Sequence, residues 1–223
     1  MTTVVLFSCG GETPAPAVQD TGHEFSYLAL GDSYTIGEGV PKDDRWGEQL
    51  AEMLRATGVD VSDPVTIART GWTTSDLASA IRSQNPAANF DLVSLLIGVN
   101  NQYRGQSIAT YRTEFKELLQ TSIRLAGNDP DNVIVLSIPD WGATPFASGR
   151  NREQIAQEID AFNAVAREEA QKAGVAFVDV TPLSRQYGND RTYLASDGLH
   201  YSGKMYEMWA KLALPLAKAT LDE

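Results

Sequence analysis

Residues 91–97 read Asp-Leu-Val-Ser-Leu-Leu-Ile, an almost unbroken apolar run closed by Gly98. An apolar segment of strand length without polar alternation has no face to offer to water, so it belongs in a sheet covered on both sides. That coverage comes from helices in crossover connections, which join strands in parallel. The rest of the chain fits this requirement. Residues 25–30, 64–68, 133–138 and 175–180 are also short apolar runs bounded by turn residues. Helical patterns lie between them. Trp46, Leu50, Met53 and Leu54 recur at helical spacing before Gly58, with Asp44 as the expected N-cap. Residues 73–82 carry Leu77 and Ile81 four apart, and residues 108–125 gather Tyr111, Phe115, Leu118, Leu119 and Ile123 on one face, with Gly127 as the expected C′ residue. Residues 152–172 turn Ile155, Ile159 and Phe162 inward and stop before Gly174. The segment after residue 180 is rich in Gly, Asn and Asp and reads as a loop, and a last helix spans about 203–219. The alternation predicts an α/β fold: a three-layer α/β/α sandwich around a central five-stranded parallel sheet.

With 223 residues, 43% of them hydrophobic, the chain can bury one sizeable core. Residues 24–223 are read as that domain, without internal repeats. A net charge of -11 repels phosphate backbones, so nucleic acid is not an expected partner. No run is long and apolar enough for a transmembrane helix. The single cysteine, Cys9, allows no internal disulfide. It sits in an N-terminal segment, 1–23, whose later part is rich in Pro, Ala, Thr and Gly, as linkers are. Leu6-Phe7-Ser8-Cys9 resembles the end of a bacterial lipoprotein signal, although the basic region is missing and the apolar stretch is short. Two readings stand. In one, the segment is a truncated lipoprotein signal and tether, Cys9 carries a lipid anchor, and the protein is exported, periplasmic or membrane-anchored. In the other, it is a frayed terminus of a soluble protein.

In an open parallel sheet, ligands bind outside the carboxyl ends of the strands. The unusual residues of this chain fall there. Gly31-Asp32-Ser33 follows the first strand, Gly71 the second, Asn100 the third and Asp140-Trp141 the fourth, while His200 lies beyond the fifth. A serine becomes a nucleophile only beside a base. Of the two histidines, His23 lies in the linker, which leaves His200, three residues after Asp197. Each motif has a plainer reading: Gly-Asp-Ser as a strand-to-helix turn, Gly71 as a turn, and Asn100 as a turn residue tolerating the left-handed region. Asp32 and Asp140 are read as shaping turns. Two distant histidines and one cysteine lack metal-ligand spacing, and there is no phosphate-loop glycine signature, so neither metal nor cofactor is expected.

Together, Gly31-Asp32-Ser33, Gly71, Gly98-Val99-Asn100-Asn101 and Asp197-Gly198-Leu199-His200 resemble, in order, the conserved blocks of the SGNH hydrolases, the GDSL esterase and lipase superfamily. The resemblance spans Phe25 to about Ala219. It implies a flavodoxin-like sheet of the SGNH type and a serine esterase without cofactor. Ser33 would be the nucleophile, His200 its base, and Asp197 the residue orienting the imidazole. The N–H groups of Ser33 and Gly71 and the Asn100 amide would form the oxyanion hole. One departure is Asn101, where the family commonly has Asp, so any hydrogen bond made there needs a neutral substitute. Tyr34, Trp72, Tyr103 and Trp141 fall near the same sheet edge and are read as a substrate pocket, with core packing as their alternative. The expected substrates are small-molecule or glycan carboxylic esters with short acyl chains, such as acetyl groups. Two other readings are an acyltransferase using the same triad, and a non-catalytic surface-binding module that keeps the fold.

Overall fold

The computed structural model describes residues 24–222. The 1–23 segment, with Cys9 and its lipid-anchor reading and with His23, lies outside the described residues. Five strands, β1 (Tyr27–Gly31), β2 (Val65–Ala68), β3 (Leu92–Leu96), β4 (Val133–Leu136) and β5 (Ala176–Val178), pair in parallel in the order β2-β1-β3-β4-β5. Every residue of β1, β3 and β4 is buried, which is what their almost unbroken apolar sequences require. The outer strands β2 and β5 keep partly exposed positions.

The helices are α1 (Ser33–Ile36), α2 (Trp46–Ala56), α3 (Thr74–Gln84), α4 (Val99–Tyr103), α5 (Ile108–Leu125), α6 (Arg152–Ala173), α7 (Thr181–Tyr187) and α8 (Gly203–Leu221). α2 packs along α8, whereas α5 packs between α3 and α6, giving one helical layer on each face of the sheet. Trp46, Leu50 and Leu54 of α2 and Tyr206 and Trp209 of α8 are fully buried in the first layer. In the second, the Tyr111 and Phe162 rings meet at 4.6 Å between centroids.

β1 and β3 lie side by side although β2 comes between them in sequence. This is the topological switch point, and it opens a crevice where β1 and β3 end. The strands approach closely there. Gly31 pairs with Leu96, and a Cβ on Gly31 would stand 2.5 Å from the Leu96 carbonyl oxygen and 2.1 Å from Thr35 Oγ1.

Three local expectations are corrected. Asp44 does not cap α2: the N-cap is Arg45, in extended conformation and without a side-chain cap bond. Asp44 ends a short 3₁₀ turn, and its carboxyl lies against Gly203, where a Cβ would meet it at 2.8 Å. It therefore stands at the positive end of α8 rather than of its own helix. The segment after residue 180 is not all loop, because α7 begins there. Finally, the fifth strand is shorter than its apolar run, since the N–H groups of Val180 and Thr181 turn to Ser137 Oγ at 2.8 and 3.1 Å.

Gly31→Ala is expected to destabilise the protein by about 2 kcal/mol or more, because one contact is backbone and cannot give way. Urea unfolding measures this, and a loss below about 0.5 kcal/mol would contradict the close approach.

Candidate active site

Ser33 is set by its neighbours. Asp32 is the N-cap of α1, its Oδ1 accepting the Tyr34 N–H at 3.0 Å, and Gly37 closes this single turn in the left-handed conformation. Ser33 is thus the first residue of a helix, where its own N–H has no intrahelical acceptor. The other Asp32 oxygen is buried without a partner. Burial raises the Asp32 carboxyl from its ordinary 3.8 to about 7, against the hydrogen bond from Tyr34 that lowers it.

Asp197 and His200 lie on one loop between α7 and α8. Asp197 Oδ1 accepts the N–H groups of Leu199 and His200, each at 2.9 Å, and its Oδ2 meets His200 Nδ1 at 2.6 Å. An ionised carboxylate only accepts, so Nδ1 carries the hydrogen, and in the neutral imidazole Nε2 is then the ring nitrogen with a lone pair. Burial works to raise the Asp197 carboxyl, but the bonds from the His200 ring and the two N–H groups outweigh it and hold its pKa below the usual range. The ring is further steadied by Tyr34, which meets it edge-on at 5.6 Å while packing on Tyr201 and Trp209. Ser33 and His200 line the same cleft without a hydrogen bond to one another.

The third contribution comes from α4 and the loop before α3. Asn100 Nδ2 donates to the Trp72 carbonyl at 2.9 Å, which leaves its second N–H unused. Gly71 takes a φ of +84°, open to glycine at low cost, and its carbonyl accepts from Arg104 at 2.7 Å. Arg104 also approaches Asp76 at 3.7 Å, and Asp76 completes a capping box with Thr73. Asn101 is fully buried. Its Oδ1 accepts the Thr74 N–H at 3.1 Å, and its Nδ2 donates to Thr74 Oγ1 at 2.6 Å and to Gln106 Oε1. Thr74 and Gln106 in turn donate to the Glu114 carboxylate. A carboxylate at position 101 could donate to neither partner and would add charge beside Glu114. The amide is the group this network needs, and together the two asparagines fasten the Gly71 loop to α4.

These elements enclose a cleft of about 190 Å³. Ser33, Gly71, Asn100 and His200 line it, as do Tyr34, Tyr103 and Trp141. Trp72 does not; it contributes its carbonyl to Asn100 instead. Thr70, Val99, Phe146 and Leu199 complete the lining and were not singled out from sequence. Val99 and Leu199 lie within the blocks quoted above and Thr70 adjoins Gly71, so all three could have been read with them. Phe146 lies in a loop of irregular turns, with no periodic signal to mark it. Asp140 stands outside this set, buried, accepting from the Gly142 N–H at 2.9 Å and paired with Arg185 at 2.9 Å. No group of three or more metal-ligating side chains occurs among the described residues, and none of their helices is long and apolar enough to cross a membrane.

The model of the GDSL-like lipase/acylhydrolase family matches residues 29–208. No curated protein matches significantly. Among solved structures, a lipase/acylhydrolase from Enterococcus faecalis is 23% identical with a TM-score of 0.66, covering 88% of this chain and 97% of its own. The acetylxylan esterase Axe2 from Geobacillus stearothermophilus is 17% identical with a TM-score of 0.65, covering 86% and 94%. The psychrotrophic esterase EstA from Pseudoalteromonas sp., in a structure inhibited by monoethylphosphonate, is 14% identical with a TM-score of 0.64, covering 90% and 100%. At these identities the likeness is one of fold.

The raised Asp32 carboxyl gives a stability test. Its neutral form is favoured in the fold, so its contribution is complete below about pH 4 and is lost as pH climbs through about 7. Between pH 5 and 8 the wild type should lose on the order of 2–3 kcal/mol that Asp32→Asn, which cannot ionise, does not lose. Urea midpoints at the two pH values measure it, and parallel losses in both proteins would contradict the assignment.

Proposed function

Because the chain belongs to the GDSL-like lipase/acylhydrolase family, we propose that this hydrolase is a serine esterase acting on carboxylic esters with short acyl chains. The observation that carries the reading is the His200–Asp197 contact of 2.6 Å, which leaves Nε2 as the free ring nitrogen beside the cleft that Ser33 lines. In the reaction, Ser33 Oγ attacks the ester carbonyl carbon as Nε2 takes the hydroxyl proton. Asp197 holds the tautomer and stabilises the imidazolium. The carbonyl oxygen becomes an oxyanion that accepts from the N–H groups of Ser33 and Gly71 and from the free N–H of Asn100. Collapse breaks the ester C–O bond, and the leaving alcohol takes the proton from Nε2. A water molecule, deprotonated by the same nitrogen, then attacks the acyl-enzyme and releases the acid and Ser33.

Two features support a short acyl group. The cleft, at about 190 Å³, is smaller than the ~300–1,000 Å³ common for ligand sites. Its lining combines aromatic and aliphatic side chains, Tyr34, Val99, Tyr103, Trp141, Phe146 and Leu199, with the polar Ser33, Thr70, Asn100 and His200. The acetylxylan esterase named above makes glycan acetates a reasonable first substrate class for this chain.

With 4-nitrophenyl acetate, Ser33→Ala is expected to lower kcat/KM at least ~10³-fold with Tm unchanged. Asn100→Ala should lower kcat about 10²-fold while leaving KM nearly constant, the signature of an interaction made only in the transition state. Near wild-type turnover in purified Ser33→Ala would sink the nucleophile assignment. A KM-only effect in Asn100→Ala would remove Asn100 from the oxyanion hole.

A further inference from the structure

One cation beside the cleft has no role in the reaction described. Arg150 follows the turn that carries Phe146, and its guanidinium carbon lies 5.6 Å from the centroid of the Tyr103 ring and 5.9 Å from that of Trp141. Both rings line the cleft, and they meet each other edge-on at 5.3 Å. The wall beneath Arg150 is fixed: Trp141 Nε1 donates to Gln102 Oε1 at 2.7 Å, and Gln102 Nε2 donates to Glu158 at 2.7 Å.

A guanidinium over aromatic rings is attracted through its flat face, which leaves its N–H edge free to bind. That edge is almost unused. Its one hydrogen bond, from Nη2 to the Tyr103 hydroxyl, is long at 3.4 Å, and no carboxylate of the described residues forms an ion pair with it. Arg104, also near the cleft, is by contrast engaged by the Gly71 carbonyl and Asp76. The chain as a whole carries a net charge of -11, so its general field repels anions. An exposed, pre-oriented and unneutralised guanidinium next to the cleft runs against that field. Its fork of donors matches a two-oxygen anion.

We propose that Arg150 is a specificity residue forming an anion subsite, and that the natural substrate is an ester bearing a carboxylate or phosphate near the scissile bond. The proposal rests on the esterase reading above and names its substrate class. The carboxylate source would be an acetylated uronic-acid sugar; the phosphate source would be an acylated glycerol phosphate.

The test compares matched esters. Acetate release is measured from methyl acetylglucuronide and its neutral twin methyl acetylglucoside, and from 1-acetylglycerol 3-phosphate and its neutral twin monoacetin. In the wild type, kcat/KM for one anionic member should exceed that of its twin by about tenfold, and the pair that shows this identifies the source. Arg150→Gln should bring that ratio close to one, Arg150→Lys should keep part of it, and the ratio should shrink as salt rises. Turnover of the neutral esters with no anionic preference overturns the subsite and leaves the esterase reading standing. A preference that Arg150→Gln does not change also overturns it. Should no ester turn over, the esterase reading fails, and the subsite is read by calorimetric titration of the protein with glucuronate and glycerol 3-phosphate. Binding that Arg150→Gln abolishes upholds the subsite, and no binding, or binding unaffected by the substitution, overturns it.

Discussion

The close approach of β1 and β3 is the constraint on which the site depends. Gly31 and Leu96 are paired partners, and there is no room for a side chain between Gly31, the Leu96 carbonyl and Thr35. Because these strands adjoin at the switch point, the turns that leave them are forced together. One turn begins with Ser33 and the other carries Asn100. A strand inserted between them, as in the sequence order, would separate the two by another strand spacing, about 4.8 Å. The topology brings the hydroxyl and the amide to one cleft before any polar contact acts.

Polar contacts then fix the remaining parts. The Gly71 loop is fastened to α4 through Asn100, to Arg104 through its carbonyl, and to α5 through the Asn101, Thr74, Gln106 and Glu114 network. Polar groups tied in this way, with Asn101 and Thr74 fully buried, hold donors in place, so little reorganisation is needed when charge develops nearby. The His200 loop is tied differently, by its own turn around Asp197 and by aromatic packing against Tyr34. Asp32, in contrast, is only half satisfied. Its buried, unpartnered oxygen beside Ser33 places a local cost at the site itself.

Much of this architecture was legible in the sequence because burial on both faces leaves a simple signature. The inner strands are apolar except for Ser94 of β3, whose hydroxyl meets that of Tyr27, and the long helices repeat their apolar residues at helical spacing. α7 was hidden because the side chains it buries are Thr181 and Ser184, which carry no hydrophobic period. Asp44 has a capping side chain, but residue type alone says nothing about which helix end it will meet. Ser33, Gly71 and Asn100 of the cleft could be singled out by their positions after strands, and these together with Asp197 and His200 by resemblance. The lining could not be read in full. Trp72 and Thr70 are two residues apart, and only the backbone path decides that the threonine, not the tryptophan, meets the cavity. Phe146 arrives from a separate turn, and convergence of that kind is a property of the fold rather than of any local pattern.

A Ser33 hydroxyl activated as a nucleophile within this cleft would react with a serine-directed phosphonylating probe. The most direct measurement is the intact mass of the protein after treatment with a fluorophosphonate, followed by peptide mapping. A single covalent adduct is expected, located on Ser33 and absent from protein unfolded before treatment. No adduct on the folded protein, or an adduct on another residue, would contradict it.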